Sequence, residues 1–92
     1  MAVKVKIPTP LRGLTNNLDT VDADGASTVS EVVQNLERDY PGMRERLLDD
    51  QGELRRFVNI YVNGEDIRFM ENLATAIKSG DEVSIVPAVA GG

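Results

Sequence analysis

The amino-acid sequence predicts an α+β fold in which a mixed β-sheet packs on one main helix. Residues 57–62 combine β-branched and aromatic side chains, which favours a strand. Residues 28–40 carry apolar side chains at helical spacing, which favours an amphipathic helix. Val3, Val5 and Ile7 alternate with lysines and predict a strand with one buried face. The length of 92 residues fits one domain with one core.

The predicted helix begins at a capping box. Thr28 is suited to be the N-cap residue, and Glu31 stands where its carboxylate is expected to reach back to the Thr28 amide. Pro41 and Gly42 are expected to end the helix. Its apolar stripe should face the sheet and consists of Val29, Val32, Val33, Leu36 and Tyr40.

The strands are expected on both sides of this helix in sequence. Pro8 and Pro10 close the first strand, because proline cannot donate to a β-ladder. Asn63 and Gly64 form a favoured two-residue hairpin turn after the 57–62 strand. The other predicted elements are short: a strand over 18–22, helical turns over 43–48 and 73–77, a return strand over 65–69, and a last strand over 83–86 that ends at Pro87.

This order places two hairpins around one helix. The first and last strands are therefore expected to lie side by side and parallel, with the helix as the crossover between them. That is the β-grasp, or ubiquitin-like, arrangement. We expect a single domain over residues 1–86, followed by a flexible tail over residues 87–92.

Composition excludes several function classes. The sequence contains no cysteine and no histidine, which rules out Ser-His-Asp and Cys-His hydrolases and leaves no expected metal site. The net charge of −5 argues against nucleic acid as a partner. No apolar run is long enough to cross a membrane, and no signal-peptide pattern is present, so we expect a cytoplasmic protein. An autonomous enzyme is not expected.

Two surfaces are candidates for protein docking. If the residues alternating with Phe57 and Tyr61 face the helix, those two aromatic side chains face outward together with Val86 and form an apolar patch. The alternative is that loops cover them. A basic cluster over residues 44–56 contains Arg44, Arg46, Arg55 and Arg56, interleaved with acidic residues; it reads as a charge-balanced surface or, alternatively, as a docking site.

The C-terminal residues Gly91 and Gly92 are the strongest candidate for a functional site. Glycine has no Cβ, so a tail that ends in two glycines fits a narrow channel. Six residues from Pro87, including Val89 and Ala90, span about 20 Å when extended. The Gly92 carboxylate is ionised at neutral pH and is a poor electrophile. A partner enzyme that transfers it to AMP would allow a sulfur nucleophile to displace the AMP and leave a thiocarboxylate.

Residues 86–92, together with Gly80, Asp81, Glu82 and Val83 before them, resemble the C-terminus of the MoaD/ThiS family of ubiquitin-like sulfur carriers. Residues 57–69 are similar to the family members that serve cysteine biosynthesis. Members that serve molybdopterin synthase often have aromatics and a double proline where this chain has Ile85, Val86, Pro87 and Ala88. The resemblance covers the full chain.

The resemblance implies that Gly92 is adenylated by a ubiquitin-activating-type enzyme that uses ATP and is then converted to a thiocarboxylate. The sulfur acceptor would be a cysteine synthase, which would hold pyridoxal phosphate, so this chain itself would bind no cofactor. Three alternatives stay open: the small subunit of molybdopterin synthase beside a catalytic large subunit, a modifier conjugated to lysines, and an interaction module with an inert tail.

Overall fold

Five strands form one mixed sheet in the structure, a computed structural model that describes residues 2–87. The strands are β1 (Ala2–Lys6), β2 (Thr20–Asp24), β3 (Val58–Val62), β4 (Glu65–Asp66) and β5 (Glu82–Pro87). The helices are α1 (Val29–Asp39) and α2 (Met43–Leu47). No helix within the described residues is long and apolar enough to span a membrane.

The strand order is β2-β1-β5-β3-β4. β1 and β5 lie side by side and parallel, with Val5 opposite Val83. The pairs β1–β2, β3–β5 and β3–β4 are antiparallel. The predicted parallel pairing of the first and last strands is therefore confirmed, and the sheet has the β-grasp topology.

The core lies between the inner face of the sheet and α1. Val58, Ile60 and Val62 of β3 are all buried, as the alternation predicted, and so are Val83 and Ile85 of β5. The predicted helical stripe is buried at Val29, Val32, Val33 and Leu36, while Tyr40 is partly buried at the helix end. Met43 and Leu47 bring α2 into the same core, which confirms the predicted short helix there.

The capping box is confirmed at Thr28 and wrong in one detail at Glu31. Thr28 Oγ1 accepts from the Glu31 backbone N–H at 3.2 Å, as an N-cap residue does. The Glu31 carboxylate accepts from the backbone N–H of Ser27 at 2.8 Å, not from that of Thr28, and also from the Ser27 hydroxyl. The carboxylate therefore satisfies a donor one residue further from the helix.

The second strand lies two residues later than predicted. A short 3₁₀ helix over Thr9–Leu14 comes first and buries Leu11. Asn16 and Asn17 then have positive φ values of 54° and 67° and turn the chain back. Leu18, predicted within the strand, is 47% exposed, whereas Ala23 pairs with Val3 and is fully buried.

The predicted return strand over 65–69 is also too long. β4 ends at Asp66, whose carboxylate accepts from the Arg68 backbone N–H at 2.8 Å and begins a 3₁₀ helix over Ile67–Phe69. The helical turn predicted over 73–77 is a 3₁₀ helix over Asn72–Ala74. Phe57 lies one residue before β3 rather than within it.

Candidate functional site

The predicted reactive tail continues from the centre of the sheet. β5 lies between β1 and β3, and its last residue, Pro87, pairs with Val58 at the beginning of β3. Val89, Ala90, Gly91 and Gly92 lie outside the described residues. The described part of the site is therefore the end of the sheet from which these residues continue.

Two of the three residues predicted for docking are exposed at this end. Phe57 is 51% exposed and directly precedes Val58, the partner of Pro87. Val86 is 44% exposed and lies directly opposite Asn59 on β3. Tyr61 is partly buried and pairs with Ser84, which makes it a diagonal neighbour of Val86 on the same face. We call Phe57, Tyr61 and Val86 the apolar patch.

Arg68 fastens the beginning of β3 next to this patch. Its guanidinium group donates to the Asn59 side-chain oxygen at 2.6 Å. The same group donates to the backbone carbonyls of Val58 and Arg55, each at 2.9 Å. These bonds fix the backbone on both sides of Phe57. They use the planar fork of the guanidinium group, which a lysine does not have.

The outer sheet face changes character away from the patch. Lys6 and Glu82 form an ion pair at 3.4 Å across β1 and β5. Lys4 pairs in register with Asp22 on one side and Glu82 on the other. The outer face therefore carries Tyr61 and Val86 towards the tail end of β3 and β5, and charged side chains on β1, β2 and the beginning of β5.

A second side-chain pair holds the opposite end of β5. The Asn63 side-chain amide donates to Asp81 Oδ1 at 3.0 Å, and the Asn63 side-chain oxygen accepts from the Glu82 backbone N–H at 3.0 Å. Asp81 Oδ2 also accepts from the Lys78 backbone N–H at 2.9 Å. The Lys78 N–H and then the Asn63 amide lower the pKa of Asp81 from its ordinary value, because both stabilise the carboxylate.

No group of three or more aspartate or glutamate side chains within residues 2–87 is placed to hold a cation. A depression beside the β3–β4 turn is lined in part by Val62, Met70 and Ile77, and also by Lys78 and Asp81.

Sequence reasoning left open whether the apolar patch is exposed and missed the residues that support it. Asn63 was expected only to turn the chain, and its bonds to residues 81 and 82 depend on a contact 18 or more positions away. Arg68 lies nine positions from Asn59 and has no local motif that marks it. Both contacts depend on the register of β3 with its neighbouring strands, and the sequence pattern does not predict that register.

Comparison with known proteins gives a consistent result. The sequence model of the ThiS family matches residues 5–92. The chain is 54% identical over its full length to the full length of the sulfur carrier protein CysO of Mycobacterium tuberculosis. It is 42% identical to small archaeal modifier protein 3 of Haloferax volcanii, covering 75% of this chain and 74% of that protein.

The fold agrees with solved structures of similar sequence. A chain in the crystal structure of the Amycolatopsis orientalis BexX/CysO complex superposes with a TM-score of 0.91 at 45% identity, covering 99% of this chain and all of that one. The crystal structure of M. tuberculosis CysO gives a TM-score of 0.89, covering 95% of this chain and 99% of that one.

Proposed function

The chain belongs to the ThiS family, and from that premise we propose that it is a sulfur carrier that works through the Gly92 carboxylate. The match of the family model through residue 92, in a chain 54% identical to a sulfur carrier over its full length, carries the proposal. On this reading the protein is a substrate of partner enzymes and not an enzyme itself. The lack of histidine and cysteine agrees with that role.

The proposed chemistry has two steps, activation of the Gly92 carboxylate and replacement of one of its oxygens by sulfur. First, the Gly92 carboxylate attacks the α-phosphate of ATP in the activating enzyme; an acyl-phosphate bond forms and pyrophosphate leaves. Second, a hydrosulfide equivalent attacks the acyl carbon, the bond to AMP breaks, and a thiocarboxylate and AMP are released. Activation is needed because a free carboxylate is a poor acyl electrophile. Neither step uses a side chain of this protein.

The position of β5 supports this division of labour. Because Pro87 ends the central strand, the tail continues from the middle of one end of the domain. Residues 88–92 extend up to about 17 Å at 3.3–3.6 Å per residue. That reach allows a partner to hold the sheet outside while it receives Gly92 in a buried site.

We assign docking on the activating enzyme to the apolar patch. Phe57 and Val86 are large apolar side chains left about half exposed, and both lie beside Pro87 in the pairing of β3 with β5. Exposed apolar groups that cluster on one face mark protein interfaces, and aromatic residues are enriched in their centres. The patch adjoins the residue from which the tail continues, so an enzyme that binds the tail would also contact the patch.

The receiving pathway that we propose is cysteine biosynthesis in the cytoplasm. Residues 57–69 resemble the carriers that serve it, and a cysteine synthase with pyridoxal phosphate would be the acceptor. The thiocarboxylate sulfur, held at the tip of the tail, would be the nucleophile that this chain supplies. The cofactor and its chemistry would belong entirely to the acceptor enzyme.

One observation favours a second function. The 42% identity to a small archaeal modifier protein favours conjugation of Gly92 to lysine amines. Activation to the acyl adenylate is common to both functions, and the nucleophile that follows decides between them. The second function therefore predicts an isopeptide bond where the first predicts a thiocarboxylate.

Intact mass spectrometry tests the proposal. Full-length protein is incubated with the adenylating enzyme of its own cell, ATP and sulfide, and we expect a mass gain equal to exchange of one oxygen for sulfur. A variant lacking Gly91 and Gly92 should fold normally and show no gain. Only unmodified protein in the complete mixture would contradict the carrier function, and lysine adducts in its native cell would favour the modifier.

A further inference from the structure

Three arginines lie beside the end of β5. Arg55 and Arg56 immediately precede Phe57, and the Arg68 guanidinium binds the carbonyl of Val58, which pairs with Pro87. All three arginine residues are exposed. We call Arg55, Arg56 and Arg68 the arginine collar. It adjoins the apolar patch through Phe57.

No guanidinium group of the collar forms an ion pair within the described residues. The ion pairs among residues 2–87 are Lys6–Glu82 and Arg38–Asp39. Arg55 donates to the Glu45 backbone carbonyl, and Arg68 donates to carbonyl and amide oxygens, all of which are neutral acceptors. These bonds hold two of the guanidinium groups in place without a carboxylate within ion-pair distance. Arg55 shares a depression with Glu45, Asp49 and Asp50, so the charges of Arg56 and Arg68 carry the argument.

The opposite end of the sheet is acidic. β2 ends and β5 begins at this end, because β2 is antiparallel to β1 and β1 is parallel to β5. Carboxylates therefore gather there, supplied by the end of β2, the beginning of β4 and the beginning of β5: Asp22, Asp24, Glu65, Asp81 and Glu82. The chain is net −5, and the collar places three positive charges at the other end of the sheet, beside the tail.

We propose that the arginine collar docks on a rim of aspartate and glutamate carboxylates around the tail channel of the adenylating enzyme. The proposal rests on the carrier function above and adds the chemistry of the surface that recognises this protein. An acidic rim attracts the collar and repels the far end of the sheet, so the protein approaches tail first. Charges at the rim of an interface act mainly on association rate and on its salt dependence.

The location of the collar makes a protein rim a better fit than a small anion. Arg56 directly precedes Phe57 and the Arg68 guanidinium group binds the Val58 carbonyl, so both adjoin the apolar patch, whereas the Arg55 guanidinium group lies against α2. Arginine beside aromatic residues is typical of protein interfaces. Arg55 and Arg68 donate to different neutral oxygens, and the Arg56 side chain makes no hydrogen bond within the described residues. A partner surface with several carboxylates can meet all three guanidinium groups, whereas one phosphate offers a single anionic centre.

Charge reversal with a matched control tests the proposal. Arg56→Glu is the principal variant, because the Arg56 side chain makes no hydrogen bond or ion pair with the rest of the described chain. Lys78→Glu makes the same charge change at the acidic end, next to Asp81. Activation by the adenylating enzyme of its own cell is followed as pyrophosphate release over a range of protein and salt concentrations.

Arg56→Glu should raise the KM for this protein roughly tenfold at low salt, with kcat and the KM for ATP unchanged. Arg56→Gln should give an intermediate increase. Lys78→Glu should change the KM by less than about twofold. Added salt should weaken activation of the unmodified protein more than that of Arg56→Glu, because screening removes an attraction that the variant has already lost.

Equal effects of Arg56→Glu and Lys78→Glu would overturn the proposal, as would an effect confined to kcat or to the KM for ATP. Binding of the full-length protein to the enzyme without ATP separates this failure from failure of the carrier function. If no adenylate forms, a Kd weakened by Arg56→Glu and not by Lys78→Glu still supports the collar. An unchanged Kd, or binding that salt does not weaken, refutes it.

Discussion

The side chain of Asn63 joins the β3–β4 turn to Asp81, with 3.0 Å between Asn63 Nδ2 and Asp81 Oδ1. Asp81 also accepts from the Lys78 backbone N–H, so one carboxylate holds two separate segments at the beginning of β5. The Asp81 backbone carbonyl accepts from the Lys4 N–H at 3.2 Å, which connects β1 to the same residue. Asp81 therefore fixes the end of the sheet opposite the tail.

The Asp81 carboxylate should make the free energy of unfolding depend on pH. Because the Lys78 N–H and the Asn63 amide lower the pKa of Asp81 in the native state, the unfolded chain binds a proton more readily. Its stabilising contribution is present above the unfolded-state pKa of about 3.9 and is lost as pH falls through the lower native value. Asp81→Asn should cost about 1–2 kcal/mol at neutral pH, and the cost should shrink in acid.

Urea unfolding at a series of pH values measures this effect. Asp50→Asn is the control, since Asp50 is exposed and its side chain makes no hydrogen bond within the described residues. It should follow the unmodified protein. A loss of stability in Asp81→Asn that stays constant down to the lowest pH would show that charge on Asp81 is not the cause.

Substitution of Gly64 by alanine should destabilise the fold. Its φ is +87°, in the left-handed region where a Cβ costs about 1–2 kcal/mol, even though no atom lies within 4 Å of the position a Cβ would occupy. Gly64→Ala should therefore lower the free energy of unfolding by about that amount. Gly13→Ala is the control, because Gly13 has the same open space and no positive φ. Equal effects of the two substitutions on thermal unfolding would rule out backbone strain.

Features of the fold that depend on neighbouring residues were predicted from the sequence, and features that depend on contacts across the sheet were not. The hairpin turn at Asn63 and Gly64 was predicted because two adjacent positive φ values are a local property of Asn-Gly. The buried face of α1 was predicted because helical spacing is local too. β2 was placed two residues early because its register is set by pairing of Ala23 with Val3, a contact across the sheet.

The candidate site divides in the same way. The two-residue alternation of strands predicted that Phe57 and Val86 face outward and left open whether loops cover them; both are about half exposed. The end of β4 was missed because strand propensity alone favours a longer strand. The Asp66 carboxylate accepts from the Arg68 backbone N–H and begins a 3₁₀ turn there instead. The support that Arg68 gives to Asn59 was missed because it depends on where that turn places a long side chain.

Removing the N-cap of α1 should weaken the main helix. Thr28→Ala deletes the acceptor of the Glu31 N–H and should cost about 1 kcal/mol of unfolding free energy. Ser30→Ala, two residues later, is the control, because the Ser30 side chain makes no hydrogen bond in the described structure and alanine favours helix. Chemical denaturation of both variants should separate them; a Ser30→Ala loss as large as that of Thr28→Ala would contradict the capping role.

The apolar patch should matter for activation and not for stability. Val86 is 44% exposed, so Val86→Ser should change the free energy of unfolding by less than about 0.5 kcal/mol. If the patch docks on the adenylating enzyme, the same variant should raise the KM for this protein roughly five- to tenfold, in line with loss of an interface residue worth about 1 kcal/mol or more. The measurement is the initial rate of pyrophosphate release at several protein concentrations.

Leu18 provides the matched control for Val86. It is 47% exposed, equally apolar, and lies before β2, which the strand order separates from β3 by β1 and β5. Leu18→Ser removes a comparable exposed apolar group and should leave both stability and KM nearly unchanged. An equal rise in KM for the two variants would mean that general surface hydrophobicity drives the association. Because β2 begins at the end of the sheet where β5 finishes, Leu18 and Val86 lie at the same end, and a rise confined to Val86→Ser locates docking on its β3–β5 side.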